Sequence, residues 1–339
     1  MLVNDEISNY RKDVLLNKEM LDITKNIHQL ITTDFTQVSD CGKKLCSDMF
    51  GTNNLNSCNK VRWCAICSRK QQHKDYAILK AITDKYKCDI LTITISKLFN
   101  YHVDVANDYK HYLENKSKEW LDLNDFKSDF NKDRLFLNDV VKRVLNTDYF
   151  KHIARRALRK LEVSTTREGN AVKFHLHCHL MIFLKSGYRK YYLKKKEMEK
   201  IIISTMLDKF RDNASDRLSK ELVKQPNVIR INKISYNIKL DSPYNKELCY
   251  YSKPVLSSYK TIVPTIEEKE IMLMFNDAIL RKCRMRQFIN GKVKVKSKYK
   301  ANDFIKSINA IKKDYSDKRK ESQKNNRVLQ YCTYNDLKK

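Results

Sequence analysis

The 339-residue chain has no apolar run long enough to span a membrane, no basic amphipathic helix, and no hydrophobic signal-type stretch between Met1 and Ile31, where charged and apolar residues alternate. The first two absences argue against a membrane surface as partner, and the third predicts a cytoplasmic protein. In that compartment the ten cysteines read as metal ligands or buried thiols, not as disulfides. Acidic residues are in deficit, with 40 Asp and Glu against 68 Lys and Arg, so the formal net charge is +28. Such an imbalance points to a polyanionic partner, nucleic acid first. Part of the Lys excess, with the Asn and Ile that accompany it, also fits the coding bias of an AT-rich genome. Proline is scarce at four, and three of them punctuate predicted elements: Pro226, Pro243 and Pro254.

The stretch with the clearest pattern is Lys173-Phe-His-Leu-His-Cys-His-Leu-Met-Ile-Phe-Leu184. Polar turns at 167–170 and 185–187 bound it, which predicts a β-strand. Strand side chains alternate in direction, so Phe174, Leu176, Cys178, Leu180, Ile182 and Leu184 face a core while His175, His177 and His179 share the other side. A single histidine on a sheet face is ordinary. Three in alternation have no packing reason to be there, and their imidazole nitrogens suit a divalent metal.

The preceding segment Lys160-Leu-Glu-Val-Ser-Thr-Thr166 is rich in β-branched residues and leads into the same turn, predicting a hairpin. With the turn centred on Glu168-Gly169, paired residues sum to 337, so Glu162 is expected opposite His175 with His177 as its diagonal neighbour. A mixed His/carboxylate set with open positions suits Mg²⁺ or Mn²⁺ acting on phosphate.

Five cysteines fall between Cys41 and Cys67. Cys64-Ala-Ile-Cys67 is a C-x₂-C knuckle, and Cys41, Cys58, Cys64 and Cys67 are the preferred ligands of a closed tetrahedral zinc site, with Cys46 in reserve. Lys60, Arg62, Arg69, Lys70 and Lys74 flank it and are candidates for phosphate contact.

Further elements follow from periodicity. Helices are predicted within 5–31, over Gln71–Lys85, Leu135–Leu145, Tyr191–Glu221 and Ile266–Cys283; strands are predicted over Asp89–Ser96 and Val228–Ile238. Aromatics within 101–131, Trp120 among them, fit either a core or base stacking. The tail from Lys292 is Lys-dense, with a possible basic helix around Phe304, Ile308 and Ile311.

Between Pro243 and Pro254 a short helix is predicted that carries Glu247 and Tyr251 at i and i+4, side by side. A phenol (pKa ~10) attacks at neutral pH only with help from a metal or a cation. Lys253 lies near enough in sequence to supply such a charge, and Tyr250 sits at i+3 from Glu247.

Taken in order, these segments resemble the replication initiator (Rep) proteins of rolling-circle plasmids, in the branch common on small Gram-positive plasmids, within the HUH endonuclease superfamily. The resemblance runs through Cys41-Gly-Lys-Lys-Leu, Cys58-Asn-Lys-Val-Arg-Trp-Cys64-Ala-Ile-Cys67, Leu91-Thr-Ile-Thr-Ile-Ser96, Arg159-Lys-Leu-Glu-Val163, His175-Leu-His-Cys-His179 and Glu247-Leu-Cys-Tyr-Tyr-Ser-Lys253, and extends toward Arg286-Gln-Phe-Ile-Asn-Gly291. It implies an α+β fold: a central antiparallel HUH-type sheet flanked by helices, with a small four-cysteine zinc module near the N-terminus. It further implies that His177 and His179 hold a catalytic Mg²⁺ or Mn²⁺, with Glu162 as third ligand and His175 as an additional histidine, that Tyr251 is the nucleophile, and that Glu247 activates water at termination.

The division expected is 1–35 N-terminal helical segment, 36–75 zinc-binding module, 76–260 catalytic domain, and 261–339 basic C-terminal region. The activity expected is nicking of a plasmid origin through a 5′-phosphotyrosine link with a free 3′-OH primer, then strand rejoining. Partners expected are double-stranded origin DNA and its extruded single strand, with a host helicase and polymerase; a dimer is possible. The alternatives are an HUH transposase or relaxase with the same chemistry, and a non-catalytic zinc-containing nucleic-acid-binding regulator.

Overall fold

The structure is a computed structural model that describes residues 2–24, 36–41, 45–47, 53–55, 57–60, 63–96, 101–104, 123–168, 171–211, 229–252, 286–289 and 317. Helix α1 (Leu2–Thr24), α2 (Thr36–Asp40), the strand pair β1 (Leu45–Ser47) and β2 (Asn53–Leu55), and helix α3 (Ala65–Tyr86) precede a sheet. The sheet strands are β3 (Ile90–Ser96), β4 (Tyr101–Asp104), β5 (Ala154–Glu168), β6 (Ala171–Leu184), β7 (Ile229–Ile234) and β8 (Arg286–Ile289). Helices α4 (Leu123–Asn146), α5 (Asp148–Ile153), α6 (Lys195–Arg211) and α7 (Pro243–Ser252) interleave with them.

Five strands run in the order β7-β3-β6-β5-β8, all antiparallel, and β4 pairs with the start of β6 beyond the end of β3. The architecture is therefore α+β, an antiparallel sheet flanked by helices, with a cysteine cluster near the N-terminus. Period-2 alternation gives the sheet two apolar faces. On one, Leu91, Ile93 and Ile95 of β3 and Leu180 of β6 pack with α4, through Leu137, Val140, Val141 and Val144, and with Met198 and Ile202 of α6. On the other, Leu158, Met181 and Phe183 pack with Tyr76, Leu79 and Ile82 of α3 and with α7. Among the described residues no helix is long and apolar enough to cross a membrane.

Several predicted boundaries move for local reasons. Helix α3 begins well before Gln71 because Cys64 caps it: its Sγ accepts from the Cys67 N–H at 3.4 Å, and its backbone is extended at φ −91°, ψ 120°. The same helix runs uninterrupted across residue 75, where a domain boundary was expected. Helix α6 starts at Lys195, where Glu197 accepts from the Lys194 N–H at 2.8 Å, one half of a capping box. Helix α4 begins at Leu123, twelve residues ahead of the predicted start, and β7 ends at Ile234.

The hairpin forms as predicted, but its register differs. Glu168 pairs with Ala171, so partners sum to 339: Glu162 lies opposite His177, and Ser164 opposite His175. A shift of two in the sum preserves the face, so Glu162 still shares a side with the histidines. The predicted helix at Ile266–Cys283, the remainder of Tyr191–Glu221 beyond Arg211, Trp120, Lys253 and the tail from Lys292 lie outside the described residues.

Candidate functional site

Two chemical clusters form, one at the N-terminus of α3 and one on the sheet. The Sγ atoms of Cys41, Cys58, Cys64 and Cys67 all lie within 4.8 Å of one another. Cys67 Sγ is 3.6 Å from that of Cys41 and 3.7 Å from that of Cys58. Zinc–thiolate bonds of ~2.3 Å in tetrahedral geometry require sulfur–sulfur edges of about 3.8 Å, so the donor set fits the metal. Cys64 at the N-cap and Cys67 in the first turn also sit at the positive end of the helix, which favours thiolates.

Without a cation the thiols of Cys58, Cys64 and Cys67 perturb one another. Contact with Cys58 and Cys67, and then burial, push Cys64 far up, while the bonds Cys67 accepts from Cys58, Cys64 and Ser57 hold it down. A divalent ion removes that conflict by taking all four as thiolates. Cys46 lies in β1, and its side chain is outside the described residues. Among the described residues, this is the one group of three or more such ligands drawn so close.

The second cluster lies across the middle of the sheet. One cross-strand row is Thr94, His179, Lys160, and the next is Ser96, His177, Glu162. The alternation Ile-Thr-Ile-Thr-Ile-Ser in β3 puts hydroxyls beside the imidazoles. Thr94 Oγ1 is 3.0 Å from His179 Nδ1, and Ser96 Oγ is 3.0 Å from His177 Nδ1. With Nδ1 of each ring turned to a β3 hydroxyl, Nε2 of His179 meets Glu162 and Tyr250. The two rings stack at 6.1 Å between centroids. His179 Nε2 lies 3.2 Å from Glu162 Oε2. The side chain of His175 is outside the described residues.

Helix α7 brings a tyrosine to this row. The Tyr250 hydroxyl donates to Glu162 Oε2 at 3.0 Å and lies 3.1 Å from His179 Nε2. Tyr251 is placed otherwise. Its ring approaches His179 at 6.3 Å between centroids, but it is 1% exposed and its hydroxyl has no hydrogen-bond partner among the described residues. Tyr244, Leu248 and Tyr251 form the buried i, i+4, i+7 stripe that docks α7, which turns Tyr250, 36% exposed, toward the open edge.

Lys160, which no sequence pattern singles out, lies beneath this arrangement. It is 3% exposed, donates to the Tyr250 carbonyl oxygen at 3.1 Å, and stands 4.9 Å from the Tyr250 ring centroid. A cation on the last carbonyls of a helix complements its dipole and fixes its end. Burial raises the Glu247 carboxyl to about 7, opposed by the charge of Lys160. Burial, and then the carboxylates of Glu162 and Glu247, hold the Tyr250 phenol well above its ordinary value. Tyr251 is pushed up by burial first.

His177, His179 and Glu162 share this face of the sheet. Two of them, His179 and Glu162, are in direct contact. Compared with known protein families, curated proteins and solved structures, the chain matches none.

Proposed function

We propose that this chain is a metal-dependent single-strand DNA endonuclease and strand transferase of the HUH type, acting as a rolling-circle replication initiator, with Tyr250 as its nucleophile. The observation that carries this reading is the Tyr250 phenol held between Glu162 and His179 on a histidine-bearing sheet. The order of motifs along the chain and the net charge of +28 support it from the sequence side.

His177, His179 and Glu162 would hold the catalytic cation. When bound, that ion supplies the positive charge that draws in phosphate oxygens and favours the phenolate. Every other part of the step belongs to the chain. Tyr250 Oη attacks phosphorus in line, the Oη–P bond forms as the P–O3′ bond breaks, and the 3′-oxygen leaves as a hydroxyl after taking a proton from solvent. Tyr250 donates to Glu162 Oε2 as the site stands; with Glu162 given over to the cation, the phenol proton leaves to solvent. Thr94 and Ser96 fix the imidazoles, and Lys160 fixes the end of α7 that carries the nucleophile.

Release reverses the chemistry. Glu247, one helical turn from Tyr250 and with its carboxyl raised to about 7, is poised to take a proton from water or an incoming 3′-hydroxyl, whose oxygen then displaces the tyrosine from phosphorus. The four-cysteine set would hold zinc as a structural ion at the N-terminus of α3.

The test uses the full-length protein, Mn²⁺ and a random-sequence pool of single-stranded oligonucleotides. SDS-resistant protein–DNA adducts that require Mn²⁺, with release of fragments ending in a free 3′-OH, are the expected result. Retention of DNA with neither adduct nor cleavage would support a non-catalytic regulator instead.

A further inference from the structure

The α1 helix has no part in the chemistry above, yet one of its buried polar residues, Asn17, reaches the cysteine cluster. Asn17 is 0% exposed. Its Oδ1 accepts from the Ala65 N–H at 2.8 Å, which fixes the orientation of the amide and aims Nδ2 at Cys64 Sγ, 3.3 Å away. One turn earlier on the same face, Asp13, 2% exposed, receives both Nε and one terminal nitrogen of Arg69, at 2.5 and 2.8 Å. Both contacts land on the first turns of α3, the helix that supplies Cys64 and Cys67. Met20 and Ile23 continue the contact into the apolar core.

An amide N–H gives a weak bond to a neutral thiol and a charge-assisted one to a thiolate. The Asn17–Cys64 contact is therefore stronger when Cys64 is a metal ligand. An interaction that differs between two ligation states couples the two sites, and the coupling is reciprocal. We propose that α1 is an outer layer of the four-cysteine site: through Asn17, metal binding and docking of α1 are one coupled event, so loss of the metal frees the N-terminal helix. This rests on reading the four cysteines as a metal site.

The coupling is tested on the full-length protein by Co²⁺ titration after metal removal, followed by competition with Zn²⁺. Asn17→Asp keeps the acceptor for Ala65 and removes the donor to sulfur. It should lower metal affinity 10- to 100-fold, the usual size of an outer-layer effect, and move the sulfur-to-cobalt charge-transfer band. Asp13→Asn breaks the Arg69 pair without touching sulfur and should leave that band in place. In the wild-type chain, chelation should accelerate tryptic cleavage at the exposed Lys18 at least about ten-fold, following the same coupling.

An affinity within two-fold of wild type and an unmoved band in Asn17→Asp would overturn the proposal while leaving the metal site standing. Absence of a tetrathiolate band in the wild-type protein would overturn both. Should Asn17→Asp not fold, the Lys18 measurement decides alone: equal cleavage rates with and without metal refute the coupling.

Discussion

The hydroxyl of Tyr250 donates to Glu162 Oε2 at 3.0 Å, tying the last turn of α7 to the middle of β5. The neighbouring Tyr251 hydroxyl, one residue on, has no partner among the described residues. Consecutive residues on a helix point in different directions, and docking of the Tyr244-Leu248-Tyr251 stripe decides which of the two tyrosines meets the histidines.

Tyr251→Phe is expected to retain adduct formation and to be as stable as wild type or more so, by up to ~1 kcal/mol, because it deletes a buried hydroxyl that has no bond to lose. Tyr250→Phe should keep the fold and DNA binding and lose the adduct. Thermal denaturation alongside a gel assay for adducts checks both.

Thr94→Val removes the hydroxyl that holds His179 Nδ1 and preserves side-chain shape. Mn²⁺ affinity measured by calorimetry should fall ~10- to 100-fold, as when other groups that orient metal ligands are lost. Unchanged affinity would show that Thr94 does not orient His179.

Glu247 gives a pH dependence with a definite sign. Its carboxyl titrates at about 7 in the folded chain against 4.5 in an open one, so between those values the native state holds the extra proton. Stability from this group is present in full below 4.5 and is lost as pH rises through 7. Adduct release, which needs the carboxylate, should rise over the same window with a midpoint near 7. Glu247→Gln should suppress release while leaving adduct formation intact, and should flatten the pH dependence of the denaturation midpoint.

Lys160→Met tests the cation under α7. Loss of its charge removes what opposes the burial of Glu247, so the release midpoint should move above about 7. The α7 end loses its anchor at the Tyr250 carbonyl, and adduct formation should slow. Lys160→Arg should restore part of both. A midpoint that stays near 7 in Lys160→Met would contradict the assignment.

Much of this face can be read from the sequence. Strict alternation in β6 predicts that His177 and His179 share a side, and β-branched content predicts the hairpin partner. The pairing Glu162–His175 fails because Glu168-Gly169 and Gly169-Asn170 are both acceptable turn centres, and nothing local to the chain chooses between them. Helical spacing favours Tyr251, since i+4 places it beside Glu247. The spacing of Tyr244, Leu248 and Tyr251 carries the opposite message, that Tyr251 belongs to the buried stripe. Thr94 and Ser96 are also visible in the alternation of β3, as the polar face of a strand that pairs with the histidines. Lys160 is not: a lysine in so basic a chain reads as solvated surface, and only the close approach of α7 makes it a buried clamp. The same holds for Asn17, whose role depends on how α1 packs on α3.

The central claim is that Tyr250 forms the covalent bond to DNA. Mass spectrometry of the nucleotide-linked peptide, after nuclease and protease digestion of Mn²⁺-dependent adducts, tests it directly, with fragmentation distinguishing the two adjacent phenols. The account predicts the nucleotide on Tyr250. A nucleotide on Tyr251, or on no residue of the segment 243–252, would contradict it.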